Sequence, residues 1–211
     1  MKISFKLLEN NTVIYKEILN ALLPEVSSYM HNAIEIIQKD LPKIIIDSIL
    51  SSPEYSSIIG GQLKFDLGLV DGASKINSLL EIWTNNISII YDVPTISGNT
   101  IRSKFSISMI KADYSDVLET DYAHMIDNDR GYSLPWLRWL LLDGTKILVD
   151  NHQVIIGPNP RSRTSMAIMG PGLGWSIPSE LSGTEADNWI TRAINSSSDQ
   201  INNLLKRAFK I

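Results

Sequence analysis

Leu134-Pro-Trp-Leu-Arg-Trp-Leu-Leu-Leu142, Gly170-Pro-Gly-Leu-Gly-Trp175-Ser-Ile-Pro178 and Gly183-Thr-Glu-Ala-Asp-Asn-Trp-Ile-Thr-Arg-Ala193 are the runs that organise this chain. They hold four of its five tryptophans, Trp136, Trp139, Trp175 and Trp189, so most of the aromatic burial belongs here. The first run predicts a tryptophan-rich helix. Between it and the second, segments 146–149 and 153–156 flank Asp150-Asn-His152, a pattern that predicts a hairpin. A short strand is expected over 165–169, ending at Gly170, and the glycines after it predict a turn or bulge that lets Trp175 pack. Thr184 with Asp187 three residues on reads as a variant capping box that starts the next helix. Beyond Ser196-Ser-Ser198, the apolar residues Ile201, Leu204, Leu205, Ala208 and Phe209 recur at helical spacing and predict a closing amphipathic helix.

Upstream, residues 11–50 read as mostly helical. Val26, Met30, Ala33, Ile37, Leu41 and Ile45 fall three or four apart and form one stripe. Pro24 suits a first turn, whereas Pro42 predicts a kink or break near Leu41. Ser52 is a reasonable N-cap with Pro53 at the first helical position, and Gly60-Gly61 ends that short helix. A linking segment follows over 62–69. A helix over 73–83 then places Ile76, Leu79, Leu80 and Trp83 on one face. Segment 87–93 is rich in β-branched residues and stops at Pro94. Over 101–109 the residues alternate, with Ile101, Phe105, Ile107 and Met109 facing in and Arg102, Lys104, Ser106 and Ser108 facing out. The fold class is therefore α+β: an antiparallel sheet flanked by a long N-terminal helical region and C-terminal amphipathic helices. Residues 1–211 make one domain, with a helical region over 1–50 and a sheet-and-helix core over 51–211.

A chain of 211 residues buries enough surface for one core without staples. It has no cysteine, which excludes disulfides and thiolate metal sites. A net charge of −4 argues against a protein that wraps nucleic acid. No secretory signal is expected from Met1-Lys-Ile-Ser-Phe-Lys-Leu-Leu-Glu9, and no apolar run is long enough to predict a membrane span.

Residue chemistry nominates no reaction. His31, His124 and His152 are far apart, so a paired-histidine metal site is not expected. Asp127-Asn-Asp-Arg-Gly131 opens like a calcium loop, but its glycine comes one place early and Arg138 stands where a glutamate is required. The wider acidic stretch (Asp113, Asp116, Glu119, Asp121, Asp127, Asp129) reads as a solvated loop or partner-facing surface. Gly170-Pro-Gly-Leu-Gly174 lacks the Lys-Ser/Thr of a phosphate loop. Arg161 and Arg163 suit an ion pair better than DNA, because two cations neutralise too few phosphates. No catalytic triad elbow is present, so no catalytic, cofactor or metal residue is assigned.

Four fragments, taken in order, carry a resemblance. They are Ser52-Pro-Glu-Tyr55 with Gly60-Gly61; Leu134-Pro-Trp-Leu-Arg-Trp-Leu-Leu-Leu142 with Gly144; Ser162-Arg-Thr164 followed by Ala167 and Met169; and Trp175-Ser-Ile-Pro178 with Gly183-Thr184 and Asn188-Trp-Ile-Thr-Arg-Ala193. From near residue 50 onward the chain resembles neck and tail-completion proteins of tailed bacteriophages, which sit between the portal vertex and the tail. The resemblance implies a ring-forming virion protein with no enzymatic activity and no cofactor, a hexamer in preference to a dodecamer. It implies a head–tail connector of neck or tail-terminator type, joining the portal adaptor to the tail tube or sheath and assembled in the host bacterial cytoplasm. DNA would meet it only in passage, and an acidic balance would keep that DNA from sticking. Trp136, Trp139, Trp175 and Trp189 are then candidate fold or interface anchors, and Arg161, Arg163 and Arg192 candidate ion pairs between subunits. The competing expectation is a non-viral protein-binding module that uses its acidic loop surface.

Overall fold

The computed structural model describes residues 10–108, 114–127 and 131–210. Its first element, α1 (Asn11–Leu50), is a single helix of 40 residues, capped by Asn10, whose side chain accepts the Val13 N–H at 3.0 Å. Pro24 lies inside this helix and not in a first turn, and the break expected near Leu41 does not occur. Each proline withholds one helical hydrogen bond and crowds the preceding turn, at a cost of about 3 kcal/mol. Around Pro42 the burial of Leu41, Ile45 and Ile49 offsets that cost. Around Pro24 the helix is exposed, and water can take the carbonyl left without a donor. The expected stripe is buried from Ala33 onward, whereas no residue from 11 to 32 is buried.

α2 (Pro53–Gly60) starts where Ser52 and Pro53 predict it, with Ser52 Oγ accepting the Tyr55 N–H at 3.2 Å. The expected link over 62–69 contains instead a short helix, α3 (Gln62–Asp66). Ser57 Oγ accepts the Leu63 N–H at 3.0 Å there, and burial of Leu63, Leu67 and Leu69 holds the segment to the core. α4 (Gly72–Asn85) buries Ile76, Leu79, Leu80 and Trp83, as the periodicity predicts. A Cβ on Gly72 would lie 2.9 Å from Ile58 Cγ2, so glycine lets α4 begin this close to α2.

The strands are β1 (Ser88–Tyr91), β2 (Thr95–Ser97), β3 (Thr100–Arg102), β4 (Phe105–Ser108), β5 (Met125–Asp127), β6 (Tyr132–Leu134), β7 (Val149–Ile156) and β8 (Ala167–Trp175). Among the described residues they pair as four two-stranded antiparallel sheets, β1 with β4, β2 with β3, β5 with β6 and β7 with β8, not as one central sheet. The strand expected over 101–109 is thus two. Its alternation holds, with Ile101, Phe105 and Ile107 half-buried between exposed polar neighbours, while Met109 lies outside the described residues. The cut follows from the reversal at Gly98 (φ 62°), which commits β3 to β2; Ser103 Oγ then donates to the Asp92 carbonyl at 2.7 Å.

The hairpin expected at Asp150-Asn-His152 is also corrected. Those residues lie inside β7, where Asn151 (φ 56°) sits in a bulge between the pairs Asp150–Gly174 and His152–Pro171. The chain reverses through 157–166 instead, and β8 continues through the glycines as far as Trp175.

α5 (Ser115–Leu118), α6 (Trp136–Leu141), α7 (Trp189–Ser196) and α8 (Ser198–Ala208) complete the fold. α7 begins after Asn188 and not at Thr184. Asn188 Oδ1 accepts the Ile190 and Thr191 N–H groups, and Thr191 Oγ1 accepts the Asn188 N–H at 2.8 Å. Thr184 and Asp187 do bond each other, but in a turn ahead of the helix. α1 packs along α7 and α8, and Trp83 meets Trp189 edge-on within the core, ring centres 6.5 Å apart. Helices at both ends bracket the strands in an α+β layout. Among the described residues, no helix is long and apolar enough to cross a membrane.

Candidate functional site

Trp136 and Trp189 are wholly buried and hydrogen-bonded, which makes them anchors of the fold. The Trp136 indole N–H donates to the Tyr122 carbonyl at 2.9 Å, and that of Trp189 to Ser52 Oγ at 2.7 Å. Trp175 is also buried, while Trp139 is half-buried against it, the two rings edge-on at 6.1 Å.

Arg192 pairs within its own chain. Its Nε and Nη2 donate to Glu54 Oε1 at 2.9 and 2.7 Å, and Nη1 reaches Asp187 at 3.2 Å. Further bonds to the Leu181 and Ser182 carbonyls fix the guanidinium plane. Glu54 is 2% exposed, so this arginine answers a carboxylate that would otherwise be stranded out of water. Ser52, expected only as an N-cap, and Glu54, which no expectation singles out, are therefore the α2 side of a lock onto α7. The only signal in the sequence was that both ends of the lock lie within fragments carrying the resemblance.

Arg161 and Arg163 lie elsewhere, on the loop between β7 and β8, beside a cleft of about 490 Å³. Its walls come from the end of α3 (Phe65 to Gly68), from Met125 and Tyr132 on β5 and β6, from β7 and β8, and from Trp139 and Trp175. Arg163 Nη2 donates to the Tyr132 hydroxyl at 3.0 Å, and the guanidinium lies 5.9 Å from that ring's centre. Arg161 is exposed and, among the described residues, forms no ion pair. The loop hydroxyls are engaged in its own shape: Ser162 Oγ and Thr164 Oγ1 are 3.1 Å apart, and Ser162 Oγ accepts the Ala167 N–H at 3.3 Å.

Among the described residues, one acid lines the cleft. Asp66 Oδ2 is buried without a hydrogen-bond partner, and burial pushes the carboxyl above its ordinary value of 3.8, while Gln62 and the Trp175 indole pull the other way. Among the described residues that line the cleft there is no histidine, lysine or second carboxylate to act as its partner in proton transfer. Among the described residues, no group of His, Asp and Glu could hold a metal ion. His124 is tied to the Leu118 carbonyl at 3.1 Å and Ser133 Oγ at 2.9 Å, and His31 pairs with Glu35. Within the acidic stretch, Asp116 accepts from Asn86 at 2.9 Å, while Asp113, Asp129 and most of the calcium-like loop lie outside the described residues.

Among the described residues, exposed apolar side chains include two groups, besides scattered ones such as Val70, Ile90 and Val93. On α1, Val13, Tyr15, Ile18 and Leu22 are exposed. On the β7–β8 hairpin, Ile155, Ile156, Ile168 and Met169 are exposed, and Leu173 at the bulge is 99% exposed. β8 has no charged residue in its nine positions and, among the described residues, pairs only with β7, so its outer edge lacks the charges that usually guard one. Gly170 and Gly172 are needed because a Cβ there would meet Ile155 Cδ1 at 2.4 Å and Gln153 Cβ at 2.6 Å. Compared with protein-family models, curated proteins and solved structures, the chain finds no match in any of the three.

Proposed function

We propose that this chain is a structural virion protein of the bacteriophage head–tail interface, of neck or tail-terminator type. Copies assemble as a ring around the DNA channel, a hexamer in preference to a dodecamer, joining the portal adaptor to the tail tube or sheath. It performs no reaction and meets DNA only in transit. The observation that carries this reading is that exposed apolar side chains are grouped in two separate places on one chain, on α1 and on the β7–β8 hairpin. A ring needs a head-to-tail contact, in which unlike faces of successive copies meet with a rotation that closes. Exposed apolar side chains grouped on one element suit an interaction site. The fragments that carry the sequence resemblance add support, because they include both sides of the α2–α7 lock. Net charge −4 suits a channel through which DNA must slide.

The test is the location of the protein in purified phage particles. Density or cross-links at the head–tail junction are expected. Absence from the particle, or turnover of a small molecule by the purified protein, would overturn the proposal.

A further inference from the structure

Ile14, Ile18, Leu22, Val26, Met30 and Ile34 fall at intervals of four, and so form one continuous row along α1. The row turns by about 40° at each step, so it winds off the face that packs on the core. Ile34 is buried, Met30, Val26 and Ile14 are half-buried, and Leu22 and Ile18 are bare. Ile18 and Leu22 are thus neighbouring apolar side chains that the rest of the fold leaves uncovered. Glu17 and Glu25 accompany the bare part and, like Arg161, form no ion pair among the described residues. The cleft beside Arg161 offers a complement: a mixed interior in which Leu67, Met125, Trp139, Val154 and Trp175 surround the Asp66 carboxyl, with the exposed Arg161 beside it. α1 packs on α7, α8 and the β1–β3 region, whereas the cleft is built from other elements, so knob and socket lie on different faces.

We infer that residues 11–25 of α1 in one copy dock across the Arg161 cleft of the next copy, Ile18 and Leu22 entering it and Glu17 or Glu25 meeting Arg161. The cleft is too small for a whole helix of about 10 Å diameter but suits side chains projecting from one laid over its mouth. This contact rests on the ring reading above and names the two faces that such a ring would join.

The absence of native cysteine makes the test clean. Full-length Ile18→Cys and Ile168→Cys proteins are mixed and oxidised, Ile168 being an exposed residue of the cleft wall. The mixed disulfide is expected in roughly tenfold excess over either homodimer, since docking raises the local thiol concentration. Separately, Leu22→Asp is expected to keep the wild-type melting temperature, because the site is exposed, yet to lose multimers and incorporation into particles. Arg161→Glu is expected to lose them too, and to regain them when Glu17→Arg and Glu25→Arg are added. A statistical mixture of disulfides, or unimpaired incorporation of Leu22→Asp, overturns the arm-and-cleft contact. If wild-type protein still occupies the head–tail junction in that case, the ring reading survives. Absence of wild-type protein from particles removes both.

Discussion

The indole N–H of Trp189 donates to Ser52 Oγ at 2.7 Å across 137 residues of sequence, and both groups are buried. Ser52 Oγ also accepts the Tyr55 N–H that starts α2 and donates to the Ile49 carbonyl at 2.7 Å. One hydroxyl thus ties the end of α1, the start of α2 and the first turn of α7. Ser52→Ala removes a cap and strands a buried indole donor, for an expected loss of about 2–3 kcal/mol in urea denaturation. A loss well under 1 kcal/mol would mean that the hydroxyl bonds are not what joins these helices.

Arg192 and Glu54 call for a double-mutant cycle. Arg192→Met leaves Glu54 buried without a partner, at an expected cost of about 3 kcal/mol, and Glu54→Met added to it should restore much of the stability. Additive losses in the double variant would contradict a coupled pair.

Asp66 sets a pH dependence whose sign can be worked out. Burial raises its folded-state pKa above the ordinary 3.8, so the fold favours the protonated carboxyl. That contribution is fully present below the ordinary value and is lost as pH rises through the folded-state value. Asp66→Asn should therefore melt above wild type at pH 7, the difference shrinking as pH falls toward 3.8. A variant that melts below wild type at pH 7 would show the charged carboxylate to be stabilising.

Trp139 separates folding from assembly. It is half-buried and edge-on to Trp175 at the cleft wall, so Trp139→Ala should cost about half of the 3–5 kcal/mol typical of a fully buried tryptophan. If the chain forms the ring proposed above, the variant should also reduce its assembly, whereas Trp139→Phe keeps an edge-on ring and should retain both. Wild-type size and melting in the alanine variant would remove Trp139 from the list of anchors.

Periodicity made the helices readable because burial of a stripe is a local property of sequence. The face of α4, the cap at Ser52 and the C-terminal helix α8 all lie where spacing and side-chain type place them. The faces of 101–109 were legible, but the division into β3 and β4 was not, because it depends on which partner each half pairs with. Asp150-Asn-His152 has the composition of a tight turn, and a left-handed asparagine serves a bulge equally well. The glycines of β8 read as a turn or bulge, and a bulge is there, but the strand running through them was not legible because what they accommodate, the side chains of Ile155 and Gln153, comes from the opposite strand. The partner of Arg192 had no local signature at all, since Glu54 lies 138 positions away. In the cleft, Arg161, Arg163, Trp139 and Trp175 were singled out individually, while Asp66 was not, because desolvation of one carboxyl leaves no trace in sequence.

The uncharged outer edge of β8 has a consequence for production. Extended backbone with no electrostatic deterrent is open to pairing on the stretch ahead of Pro171 and the bulge, so the protein made alone is exposed to self-association through it. On the proposal that it joins other virion components, solubility during overproduction should improve when they are made together.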